Sequence, residues 1–116
     1  MTGAAGGLAG GLWAHYGAEL RPGATFVLEA LGADARMRAS RALVVGEGRL
    51  DDTTLQGKVA GELATRARQS GVPCHAIAGS APLDLFGRRI IDLQSVQEAG
   101  SVEALEAAGE ALSAYL

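Results

Sequence analysis

The sequence predicts an α/β fold: a three-layer sandwich built on a short parallel sheet. Three short apolar runs, "RALVVGE", "CHAIAGS" and "IIDLQSV", are separated by segments whose apolar residues recur at helical spacing. Strands that alternate with helices in this way pair in parallel through crossover connections, which lays helices on both faces of the sheet. The composition agrees. Across 116 residues, 48% are hydrophobic, 20% charged and 4% aromatic, a globular balance that argues against disorder. This length suits a single α/β segment over residues 1–116.

The opening "GAAGGLAGGLWAHYGAEL" places Leu8, Leu12, Trp13 and Tyr16 on one side of a helix. Gly3, Gly7 and Gly11, with Gly6 and Gly10 beside them, leave another side bare, where a second backbone or a ligand can approach. Trp13 and His15 read as packing residues. After the "RPGAT" turn, "FVLEALGADARMRAS" forms one helix or two short ones, with Gly32 ending the first.

"RALVVGE", with paired valines, reads as a strand buried on both faces. "GKVAGELATRARQSG" is a helix with Val59, Leu63 and Ala67 on one stripe, stopped by Gly71 and Pro73. "CHAIAGS" is a second buried strand, where Cys74 acts as a small hydrophobe and His75 as a core or sheet-edge residue. "APLDLFGRR" is a turn and short helix, and "IIDLQSV" a third strand. A closing helix, "SVEALEAAGEALSAYL", takes Ser101 as its N-cap and aligns Val102, Leu105, Leu112 and Leu116. The resulting topology is flavodoxin- or Rossmann-like.

The net charge of −3 arises from 10 basic and 13 acidic residues without a long block of either sign. Neither a nucleic acid nor an anionic membrane is therefore an expected partner. The lone Cys74 excludes an internal disulfide, and no Cys/His cluster surrounds it, so the cytoplasm is the expected compartment. The weakly charged opening has its first basic residue at Arg21 and lacks the positive start of a signal peptide. The chain reads as soluble.

"GEGRLDDTTLQGK" directly follows the first strand. In an open parallel sheet, ligands bind beyond the carboxyl ends of the strands. Gly46 and Gly48 would let backbone N–H groups turn toward an anion beside a helix start. Glu47, Asp51 and Asp52 supply hard oxygen donors for Mg²⁺ or a base for a hydroxyl, and Arg49 and Lys58 offer positive charge to a phosphate. Two nucleotide signatures fail: the third glycine of the dinucleotide fingerprint is missing, and Asp52 and Val59 occupy required P-loop positions. On composition alone the loop is equally a solvated turn, with Asp51 or Asp52 capping the next helix. Lys58 is unfavourably placed at a helix start, so a nearby anion would explain it.

"GEGRLDDTTLQGKV" resembles the glycine- and acid-rich segment of bacterial glycerate kinases of the glyoxylate- and glucarate-pathway type. "GAAGGLAGGLWAHYGAELRPG" and "GVPCHAIAGS" extend the resemblance, in the family's order, over essentially the whole chain. It implies ATP- and Mg²⁺-dependent phosphorylation of glycerate within a two-domain kinase fold, of which this chain is the C-terminal part. The family's opening segment, similar to "APDSFKG", is absent, and Asp52 and Thr53 depart from the family's usual residues. By position, the resemblance makes Asp51, Lys58 and Arg49 the catalytic candidates and Glu47 and Asp51 the metal candidates. Gly46, Gly48, Thr54, Gly79 and Ser80 become candidates for substrate or phosphate contact. Two expectations follow: a kinase segment inactive without the missing N-terminal portion, or a non-catalytic module that binds a partner or assembles as a homo-oligomer.

Overall fold

The computed structural model describes all residues, Met1–Leu116. A 3-10 turn, Ala4–Gly7, leads into α1 (Leu8–Tyr16), followed by α2 (Gly23–Ala30) and α3 (Ala33–Arg38). Gly32 adopts a left-handed φ of 62° and separates α2 from α3, so the ambiguous segment is two helices. Then come β1 (Leu43–Arg49), a 3-10 turn (Asp52–Gln56), α4 (Val59–Ser70), β2 (Cys74–Ser80), α5 (Leu85–Ile90), β3 (Leu93–Glu98) and α6 (Val102–Ser113). The Ser101 hydroxyl caps α6 by accepting the Ala104 N–H at 3.2 Å.

The sheet has the order β1-β2-β3 with both pairings parallel, as the alternating pattern requires. Strand periodicity divides β2 between two layers. Cys74, Ala76 and Ala78, with Val45 of β1, face the buried Ala60, Ala64 and Ala67 of α4. Ile77 points to the opposite face and packs on Ala108 and Leu112 of α6. Arg66 ties α3 to α4, donating from Nη1 to Asp34 at 3.1 Å and from Nε to Glu62 at 2.8 Å. These carboxylates, Glu62 foremost, raise the Arg66 pKa further and keep the nearly buried guanidinium charged.

Of the expected stripe on α4, Ala67 is buried and Leu63 packs half-buried on the core, but Val59 is 54% exposed, and Ala60, Gly61 and Ala64 complete the buried line instead. The reason is distance. A Cβ on Gly61 would lie 2.0 Å from the Thr54 carbonyl oxygen, so the helix turns its smallest residues to the chain beneath it. β1 is likewise not buried on both faces, since Val44 is 46% exposed beside a sheet face that α6 covers only around Ile77. Val102 and Leu105 of α6 are also exposed.

α1 has no buried residue. Trp13 is 55% exposed and His15 meets only Tyr16 edge-on, so neither is the packing residue expected. A Cβ on Gly3, Gly7 or Gly11 would meet nothing within 4 Å; only at Gly10 does backbone come close, the Thr2 carbonyl oxygen lying 2.8 Å from where its Cβ would be. The radius of gyration, 16.0 Å, exceeds the roughly 13 Å of a compact domain of this length. No helix is long and apolar enough to cross a membrane.

Two glycine substitutions separate contact from propensity. Gly61→Ala drives a methyl into the Thr54 carbonyl and should destabilise the chain by about 3 kcal/mol or more. Gly109→Ala, in an exposed turn of α6 with open space around it, should stabilise by about 0.5–1 kcal/mol. Urea unfolding of both variants checks the pair.

Candidate functional site

The site forms where β1 runs out and α4 begins. β1 extends through Arg49, so Gly46 and Gly48 lie inside the strand, with Gly46 in register with Ile77 of β2. Neither has a positive φ. The expected anion-holding turn of these two glycines is thus replaced by a straight strand end, because the ladder continues past the paired valines. Alternation then decides direction. Val45, Glu47 and Arg49 share the α4 side, which sends the Glu47 carboxylate toward the start of α4.

Asp51 begins the 3-10 turn as its cap. Its Oδ1 accepts the Thr53 N–H at 2.9 Å and the Thr53 hydroxyl at 2.6 Å, and its own N–H donates to the Thr54 hydroxyl at 3.2 Å, completing a capping box. Asp51 therefore caps the 3-10 turn and not α4, which starts from Lys58 without a side-chain cap. Gly57, with φ +90°, ends the turn in a conformation that disfavours side chains and delivers Lys58 to the N-cap of α4.

Lys58 Nζ lies 3.2 Å from Glu47 Oε1 and 3.9 Å from Asp51 Oδ1. These carboxylates are the anions that a cation at a helix start needs. Arg49 Nε donates to Asp51 Oδ2 at 3.2 Å, so the four groups form one chain: Arg49, Asp51, Lys58, Glu47. The bonds from Thr53, first its hydroxyl, outweigh desolvation and hold the Asp51 carboxyl below its ordinary 3.8, with Lys58 and Arg49 adding to the effect.

An opening of about 370 Å³ lies at the Lys58–Glu47 end of this chain, lined by Gly46, Glu47, Gly57, Lys58, Val59, Ala60 and Ala24 of α2, while Arg49 and Asp51 stand outside its lining. Of the residues singled out in the sequence, the structure gathers Glu47, Arg49, Asp51 and Lys58, with Gly46 on the rim. Thr54 is 0% exposed and sits beneath them, its hydroxyl spent on Glu47 and Asp51, so burial removes it from direct contact with a ligand. Gly79 and Ser80 flank the end of β1 without lining the opening. Ser80 is in register with Arg49, and a Cβ on Gly79 would come within 2.7 Å of the Gly48 carbonyl oxygen. Gly57 and Ala24 were missed. The sequence signal for Gly57 was its place directly before the lysine; Ala24 arrives from a remote segment and left none.

The donor set suits a magnesium ion that takes most of its ligands from water and substrate phosphates. Glu47 and Asp51 offer hard oxygens, and no third acidic, His or Cys side chain joins them in one cluster. Lys58 on the rim, with Arg49 beside it beyond Asp51, offers positive charge to a polyanion.

The profile of the glycerate kinase family matches residues 1–112. The chain is 45% identical over 79 residues to a glycerate kinase of Halalkalibacterium halodurans, covering 68% of this chain and 21% of that protein. It is 37% identical over 84 residues to glycerate 2-kinase of Escherichia coli K12, covering 72% and 22%. A glycerate kinase of Neisseria meningitidis serogroup B matches 99% of this chain and 31% of its own length at 36% identity. Among solved structures, a protein described as glycerate kinase 2 from Salmonella typhimurium LT2 superposes with a TM-score of 0.58 at 35% identity, covering 94% of this chain and 29% of that one. The chain therefore spans about a fifth to a third of the relatives it matches.

Two chemical outcomes follow from the site and from the core beneath it. Because the folded Asp51 carboxyl titrates below 3.8, it contributes stability that is present above that pH and lost as the pH falls through its folded value. The stability difference between the chain and Asp51→Asn, read by urea unfolding, should shrink toward zero below about pH 3.8. Burial pushes the Cys74 thiol up to about 11, so at pH 8 iodoacetamide should label it only after denaturant is added.

Proposed function

Because the chain belongs to the glycerate kinase family, we propose that it forms the C-terminal part of an ATP- and Mg²⁺-dependent kinase that phosphorylates glycerate to a phosphoglycerate. The observation that carries this reading is the placement of Lys58, which lines the opening with Glu47, between the carboxylates of Glu47 and Asp51.

Phosphoryl transfer asks a protein mainly for positioning and for charge to match the phosphate oxygens. Lys58 supplies a cation held by two carboxylates, ready to exchange one partner for a phosphate. Arg49, the more exposed cation, gives a second contact from the same side. Glu47 and Asp51 would hold the magnesium ion, which neutralises charge between the transferring phosphates when bound. The depressed pKa of Asp51 suits a cation ligand better than a proton acceptor, since a carboxylate held ionised takes a proton reluctantly. In the transfer itself, the glycerate hydroxyl oxygen bonds to the γ-phosphorus, the bond to the ADP oxygen breaks, and the hydroxyl proton leaves to a carboxylate or to water. Gly46 and Gly57 bring the backbone to the rim without side chains, while Gly48, Gly79 and Ser80 line the strand ends beside it. The single buried cysteine suits the reducing cytoplasm.

A site shared with a second domain loses its geometry when that domain is missing, and a misplacement of about 1 Å costs on the order of 10²-fold in rate. The 116-residue chain should therefore show little or no turnover with ATP, Mg²⁺ and D-glycerate in a coupled assay; robust turnover would reject the shared-site reading. Binding is the separate test. Weak Mg-ATP binding by equilibrium dialysis should fall about tenfold or more in Lys58→Ala, the loss expected for one charge-assisted contact. An unchanged affinity would remove Lys58 from the site.

The exposed face of α1 favours a second reading, a non-catalytic module that assembles with a partner or another copy. Leu8, Leu12, Trp13 and Tyr16 are all exposed on a helix with no buried residue. Under this reading, light scattering should show mass rising with concentration, and Trp13→Glu should abolish the rise. A chain that stays monomeric at high concentration contradicts it.

A further inference from the structure

The Glu47 carboxylate is held on two sides. One oxygen faces Lys58 at 3.2 Å, and the other accepts the Thr54 hydroxyl at 3.0 Å. Thr54 is 0% exposed, and its hydroxyl has no freedom left: it donates to Glu47 and accepts the Asp51 N–H at 3.2 Å. Its main chain is fixed from the other direction, because Gly61 of α4 sits directly against the Thr54 carbonyl. Lys58 lies one helical turn before that contact. One buried residue thus joins all three elements that carry the charged groups: the end of β1, the 3-10 turn and the start of α4.

We propose that Thr54 is a positioning residue, whose buried hydroxyl aims the Glu47 carboxylate at Lys58 and thereby sets the spacing of the phosphate-facing pair. A threonine placed only for packing would need its methyl and not its hydroxyl. Here the hydroxyl both donates and accepts, and the group it donates to is charged, the stronger class of hydrogen bond. The meaning of the device for phosphoryl transfer rests on the function proposed above. Its geometry does not, so the test reads Glu47 and Lys58 directly and stays informative if no kinase activity is ever found.

The experiment compares Thr54→Val and Thr54→Ser with the unaltered chain, using NMR of the side-chain carboxyl carbons and the modification rate of Lys58 by an amine reagent. Thr54→Val keeps the shape and deletes the hydroxyl. The Glu47 carboxyl resonance should move, the Asp51 amide proton should shift upfield on losing its acceptor, and Lys58 should be modified several-fold faster. Thr54→Ser, which retains the hydroxyl, should restore all three. A folded Thr54→Val chain with the Glu47 resonance and the Lys58 rate unchanged would overturn the assignment. If Thr54→Val does not fold, the unaltered chain decides: a Thr54 hydroxyl proton slow enough in exchange to be observed, and lost in Glu47→Ala, supports the role. A hydroxyl proton averaged with water overturns it.

Discussion

The seat of Gly61 on the Thr54 carbonyl is the contact on which the rest of the arrangement depends. No other residue type fits there, since a Cβ would fall 2.0 Å from that oxygen. By accepting it, α4 comes close enough to place Ala60, Ala64 and Ala67 against Val45, Ala76 and Ala78 of the sheet. A core made largely of alanines has little area per residue to bury, so close approach must compensate for small side chains. The same contact sets where α4 starts, and therefore where Lys58 stands.

From that position the electrostatics follow. A lysine at a helix N-terminus is opposed by the helix dipole, and it persists here because Glu47 and Asp51 both lie within 4 Å of it. Each carboxylate is in turn engaged by a threonine: Glu47 by Thr54, Asp51 by Thr53. Exposed ion pairs add little to stability, so the array is better understood as a fixed pattern of charge at the mouth of the sheet. A phosphate entering this mouth meets a cation already in place. Mg²⁺ would meet carboxylates whose rotamers are already chosen.

Much of the fold was legible because the sequence punctuates itself. "CHAIAGS" and "RALVVGE" are short apolar runs between glycine-bearing segments, and both are strands. Ser101 announced the cap of α6, and Gly32 the break between α2 and α3. What remained hidden depended on distances between elements. Hydropathy favoured Val59 as an inward residue, whereas the closeness of α4 to the 3-10 turn turned Ala60 and Gly61 inward. Gly46 and Gly48 looked like a phosphate-holding turn, but pairing with β2 keeps them extended. At the site, the charged set Glu47, Arg49, Asp51 and Lys58 could be read from one stretch because a strand end, a cap and a helix start are local features. Burial of Thr54 could not, since it is imposed by Gly61, seven residues later on a helix of its own. The apolar side of α1 spelled a buried helix, and only three-dimensional placement shows that nothing in this chain covers it.

The central claim is that the mouth between β1 and α4 receives a metal-bound phosphate. Titrating the isotopically labelled chain with Mg-ATP and following its backbone amides by NMR tests this most directly. The account predicts saturable shifts concentrated at Gly46, Glu47, Gly57 and Lys58, with the α6 side of the sheet unaffected. Shifts confined to α6 and β3, or none at saturating nucleotide, would contradict it.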